Sequence, residues 1–228
     1  YEPAIVCGAF AIVCVLYWLW TSTAQVPDQA RKDVGLGLSL PTYASGPTSV
    51  GWWAVWITML GDSTAFASLV FGFFFYWTAR PDFITIGADH ATGAAVALGV
   101  TLFVVSWAAT VLAREVNKRS HITLARLALA LAATCTVGGA GLIILSVLDL
   151  EPTTHVYPAT MWALMVWLVA HALLGVIMQL YALAGSIFGK MTPQYDADLC
   201  NVTLFWHFMV LTALVTGFIL GVAPRLLA

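Results

Sequence analysis

The chain has 228 residues, of which 61% are apolar and 9% charged, with a formal net charge of −2. A soluble domain carries about 25% charged residues, and a soluble fold of this size would leave large apolar patches exposed. The bilayer is therefore the solvent, and the near-neutral charge gives no basis for a nucleic-acid partner.

Crossing a hydrocarbon core about 30 Å thick takes about 20 helical residues. Six apolar runs are predicted to do so: Ala4–Trp20, Gly51–Ala79, Ala91–Ala113, Ile122–Leu148, Tyr157–Phe188 and Val202–Val222. In lipid the backbone must satisfy its own hydrogen bonds, so the runs are predicted helices. Barrel strands would show an alternating pattern over about ten residues instead. The fold class is thus an all-α membrane protein with six transmembrane helices, the first being the shortest. Residues 21–50 carry Pro27, Pro41 and Pro47 with Gly35, Gly37 and Gly46, and read as a linker. It divides a lone helix (residues 1–20) from a five-helix bundle (residues 51–228). Cys7, Cys14, Cys135 and Cys200 are scattered and read as small hydrophobes rather than a disulfide or metal framework.

Six crossings place Arg31, Lys32, Arg114, Lys118, Arg119, Arg126 and Lys190 on one side and leave only Arg80 and Arg225 on the other. The basic side is predicted to be cytoplasmic, with residues 21–50 on it and both termini periplasmic in a bacterial inner membrane. The chain begins at Tyr1 and shows no cleavable signal, so a further upstream segment is expected. Gly93-x3-Ala97, Ala95-x3-Gly99 and Thr134-x3-Gly138 suit close helix approach. Trp18, Trp20, Trp52, Trp53, Tyr76, Trp77 and Tyr157 cluster at run ends, as interfacial aromatics do.

Polar residues within the runs are the candidate functional groups. A charged Asp62 at membrane depth costs about 2.5–3.5 kcal/mol on insertion scales, so it is either protonated or faces a partner inside the protein. Thr58 lies one turn away, with Ser63 and Thr64 adjacent, which predicts a locally polar patch. Two readings stand: an acid hydrogen-bonded to neighbouring helices, or a site that influences proton uptake or binds a lipid or partner. His171 lies about 16 residues, or about 24 Å, from the inner end of its run, and His207 about five residues, or about 8 Å, from the start of its own. The depths disfavour a shared haem, and an interhelical hydrogen bond is expected for each. His90, His121 and His155 fall in or beside loops, and HExxH, Cys-x3-Cys, phosphate-loop and Ser/His/Asp patterns are missing from the sequence.

Three stretches carry a family resemblance. GWWAVWITMLGDSTAFASLVFGFFFYWTA (residues 51–79) resembles the third helix of cytochrome c oxidase subunit III, with an aromatic start, a small-residue middle around one acid and an aromatic close. The family usually has Glu where this chain has Asp62. His155–Leu183 is similar to the family's sixth helix, with Tyr157 matching its Y-G-S-x-F start and His171 standing for the first His of H-G-x-H-V; the second His is absent. Leu204-Phe205-Trp206-His207-Phe208 resembles W-x-W-H-F-V-D-V-V-W-L, without the Asp. The likeness covers about residues 50–228, and PTYASGPTSVGWW is similar to the linker of oxidases in which subunits I and III are fused.

The resemblance implies a subunit III-like bundle, the accessory part of a proton-pumping respiratory oxidase that reduces dioxygen with electrons from cytochrome c. It implies subunits I and II as partners, haem and copper in those subunits and none in this chain, and bound phospholipids. Asp62 with Thr58 would serve proton uptake, and His171, His207 and Trp206 interhelical or lipid contacts. A quinol oxidase subunit III and, from another class, a small proton or solute transporter using Asp62 remain as alternatives.

Overall fold

The computed structural model describes residues 2–22, 31–33, 35–41, 44–84, 91 and 93–227. Pro27 and His90 lie outside the described residues. The helices are α1 (Glu2–Ser22), α2 (Val50–Ala79), α3 (Gly93–Lys118), α4 (Ile122–Val147), α5 (Val156–Ile187), α6 (Ala197–Gly221) and a short α7 (Ala223–Leu227). Five of them, α2 to α6, are long and apolar enough to cross a membrane. The described apolar stretch of α1, Val6–Tyr17, is shorter than a span and exposed throughout.

Local chemistry sets the helix ends. The Ser49 hydroxyl accepts the Trp52 N–H at 3.0 Å and starts α2. His155 caps α5 in the same way, its Nδ1 accepting the Tyr157 N–H at 3.2 Å. Gly189, at φ +71°, ends α5: the Lys190 N–H reaches the Gly185 carbonyl at 2.8 Å and the Gly189 N–H that of Ser186 at 3.2 Å, a Schellman closure. Ser120, at φ +63°, does the same for α3, where the His121 N–H meets the Val116 carbonyl at 3.0 Å.

Two helices extend beyond the apolar runs that mark them. α3 continues to Lys118 rather than ending near Ala113, carried by an i,i+3 pair between Glu115 and Lys118. α6 begins at Ala197 rather than Val202, with Asp198 in a first turn that favours negative charge. Polar ends of helices that outreach the hydrocarbon are invisible to a hydropathy boundary. The linker also carries local structure: Arg31–Asp33 (β1) pairs antiparallel with Ser39–Pro41 (β2), and a 3-10 turn spans Gly46–Thr48. The Ser45 hydroxyl donates to the Asp196 carboxylate at 2.7 Å and ties this segment to the start of α6.

Helices α3, α4, α5 and α6 form a four-helix ring, and α2 packs outside it against α5 and α6. The closest approach in the ring is between α3 and α4. A Cβ on Gly99 would lie 3.1 Å from the Gly139 carbonyl, and one on Gly139 3.0 Å from the Gly99 carbonyl. Around this contact the ring is filled by Phe103, Leu129, Met161, Leu168 and Trp206, all fully buried. α6, touched by α2, α3 and α5, is the most buried span, and α2 is the least.

Candidate functional site

Asp62, His171 and His207 each lie within three residues of the midpoint of α2, α5 and α6 respectively, at most about 4 Å from it along the axis. The earlier start of α6 therefore removes the depth difference expected between the two histidines. Their directions still differ. Phe208, one residue on from His207, faces the His171 ring at 6.2 Å, while His207 itself turns to α3.

The α2–α5 contact brings His171 Nε2 to 3.6 Å from Asp62 Oδ2, with 14% and 31% of the two side chains exposed. The other imidazole nitrogen, Nδ1, lies 2.8 Å from the Trp167 carbonyl oxygen. A carbonyl can only accept, so Nδ1 carries a proton and donates it. Nε2 is thereby the nitrogen that faces the Asp62 carboxyl, and an acid and an imidazole so placed can carry a proton between them without an unpaired charge. Neutrality is what the bilayer middle favours, because an unpaired charge there is expensive. The Trp167 ring lies 4.2 Å from the His171 ring, tilted by 31°, and stacks on Phe66 at 6.2 Å, so one side of the pair is aromatic.

The hydroxyls near Asp62 do not form the polar patch expected from the sequence. Thr58 is exposed and donates to the Ala54 carbonyl at 2.9 Å. Ser63 donates to Met59 at 2.6 Å and Thr64 to Gly61 at 2.7 Å. Each spends its proton on its own helix, as hydroxyls in spanning helices commonly do. His171 is the partner that Asp62 finds among the described residues.

Trp107 Nε1–H of α3 donates to His207 Nδ1 at 2.8 Å. Trp206 is fully buried against Gly175, where an added Cβ would lie 3.1 Å from the indole, and its Nε1–H has no acceptor among the described residues. Among the described residues, no group of three or more His, Cys, Asp or Glu side chains is placed to hold a metal ion.

A second polar cluster, between α3, α4 and α5, was not singled out from the sequence. Gln179, Ser106, Thr110 and Thr136 are all fully buried. Gln179 Nε2 donates to Ser106 Oγ at 3.0 Å and to Thr110 Oγ1 at 2.9 Å, and Thr136 Oγ1 donates to Gln179 Oε1 at 3.1 Å. With the Thr136 proton on Gln179, Ser106 donates across the 2.7 Å contact to Thr136 Oγ1, and Thr110 donates to the Ser106 carbonyl at 2.8 Å. Every donor in that arrangement has an acceptor. Its sequence signal is Ser106-x3-Thr110 on one helix face with a lone mid-helix Gln179. At the basic end, Arg126 donates to the Ser186 carbonyl at 2.6 Å and to its hydroxyl at 3.1 Å, placing a cation on the C-terminus of α5.

Together these features define a predominantly helical, multi-pass membrane protein with an acid–imidazole pair where α2 meets α5. No protein-family model matches the chain, and no curated protein matches it either.

Proposed function

We propose that the chain is the accessory, subunit III-like bundle of a haem–copper respiratory oxidase, and that Asp62 with His171 is its proton-handling element. The observation that carries this reading is the 3.6 Å approach of Asp62 and His171 near the midpoints of α2 and α5, the two helices with the strongest family likeness. The basic residues on the side where α2 begins support a cytoplasmic assignment for that side. In this reading subunits I and II hold the haem and copper, cytochrome c is the electron donor, and phospholipids fill the outer grooves. Residues 21–50 join the bundle to a preceding part of a fused subunit I/III polypeptide, for which α1 is a sixth span. The chain contributes stability to the catalytic subunit and a proton reserve near its uptake path, and carries no electron transfer itself.

The test is purification of the chain from its native membrane in mild detergent through an affinity tag. We expect the purified polypeptide to be longer than these 228 residues and to carry haem, with a reduced-minus-oxidised haem spectrum and oxygen uptake supported by reduced cytochrome c. Uptake supported only by quinol would assign a quinol oxidase. Haem-free material sinks the oxidase reading, and proton flux by the chain alone in vesicles, abolished by Asp62→Asn, would replace it with a transporter. Within the complex, Asp62→Ala is expected to leave assembly intact and to slow turnover or shorten the enzyme's working lifetime.

A further inference from the structure

His207 differs from His171 in where its second nitrogen points. Its Nδ1 accepts the Trp107 indole proton, so Nδ1 is unprotonated, and the ring is a neutral imidazole whose only proton is on Nε2. That N–H has no acceptor among the described residues, and His207 is exposed on the outside of the bundle near the midpoint of α6. Water and headgroups are both far from that depth, and acyl chains accept no hydrogen bonds. A polar donor left bare in hydrocarbon is unfavourable, so a group on the lipid face at this level marks a contact with other protein.

The surroundings have the shape for such a contact. Leu211, Leu214 and Phe218 are exposed and follow His207 at intervals of four, three and four residues, the spacing of a helix-packing seam. The stripe is the face of α6 left open while α3 and α2 each pack on that helix and share no extensive contact with the other. On the α3 side, Ala108 is exposed and small enough for close approach.

We infer that this face of α6 seats a transmembrane helix from outside residues 1–228, which presents a hydrogen-bond acceptor at the depth of His207 Nε2–H. The acceptor is a carboxylate, carboxamide or hydroxyl side chain. The described stretch of α1, Val6–Tyr17, is disfavoured as the occupant, having no acid, amide or hydroxyl before Tyr17. A second copy meeting this face with the two-fold axis at His207 would bring donor against donor.

The experiment places a photoreactive benzoyl-phenylalanine at Leu211 or Leu214 in the full chain, in its native membrane. We expect adducts to a spanning segment outside residues 1–228 that carries an acceptor side chain at the matching depth. Adduct yield falls at least tenfold in His207→Leu and stays within about twofold in His207→Gln, whose amide still donates. His207→Phe replaces the Leu variant if that one is not recovered folded. The inference is overturned by no adduct, by adducts only to lipid, to α1 or to a second copy, by a captured segment lacking an acceptor, or by a yield indifferent to position 207. The outcome is separable from the oxidase reading. A captured partner without haem leaves this surface standing and removes that reading. A haem-bearing complex that ignores position 207 does the reverse.

Discussion

Replacing Asp62 by Asn is expected to separate stability from proton handling. At 3.6 Å and an effective dielectric of about 20, the ionised pair has about 5 kcal/mol of gross attraction, most of it offset by desolvation. Removing one member of a buried pair costs about 3–5 kcal/mol because the other is left uncompensated. For His171→Leu we expect the low end, about 3 kcal/mol, since Asp62 is partly exposed. Asp62→Asn behaves differently. With Nδ1 protonated, Nε2 of the neutral ring is an acceptor, and the Asn amide can donate to it. The cost should therefore stay near the net worth of one hydrogen bond, about 1 kcal/mol. The pair then has no exchangeable proton to pass on. Reversible unfolding in mixed detergent micelles, read by circular dichroism, gives the stabilities, and infrared spectroscopy follows loss of the carboxyl signal. The double variant Asp62→Leu/His171→Leu should be more stable than His171→Leu alone, with a coupling energy of about 1–3 kcal/mol. A coupling below about 0.5 kcal/mol, the limit of ordinary additivity, would refute the shared-proton account.

Three further outcomes follow from the packing. Gln179→Met keeps the volume but removes three interhelical hydrogen bonds, and at about 0.6 kcal/mol each should cost about 2 kcal/mol; Gln179→Ala adds a cavity and should lower the unfolding midpoint further. Gly139→Val forces α3 and α4 apart, because even its Cβ would lie 3.0 Å from the Gly99 carbonyl oxygen, so a loss of about 1–3 kcal/mol is expected in the same assay. Arg126→Leu frees the Ser186 carbonyl and should raise amide hydrogen exchange at residues 185–191 while leaving α3 and α4 protected.

The bundle helices were legible because lipid imposes a one-dimensional rule: a span must be apolar and long enough. That rule gave α5 almost to the residue, since its polar caps, His155 and Gly189, lie beside its apolar limits. It failed at α6, where Asp198 and Asn201 are helical but polar. It also gave no warning of the β1–β2 pairing. The candidate site was legible one residue at a time. An acid at position 62 and a histidine at 171 each stand out in an apolar run, yet their pairing depends on α2 lying against α5, and hydropathy holds no information on which helices are neighbours. The same gap hid the Gln179 cluster, in which four individually ordinary polar residues matter only because three helices bring them together. Thr58 shows the opposite error. Sequence proximity to Asp62 suggested a shared patch, but a helical hydroxyl finds its own backbone first.

The position of α2 outside the ring has a consequence for biogenesis. α2 is made before every helix it packs on, since its neighbours α5 and α6 come last. Asp62 must therefore enter the bilayer without His171, which lies 109 residues further along the chain (171 − 62). At about 5–20 residues per second, the acid waits about 5–20 s for its partner. Throughout that interval its insertion cost of about 2.5–3.5 kcal/mol is unrelieved. The nascent chain is most vulnerable to quality control in that window, and a helper that shields α2 would act there.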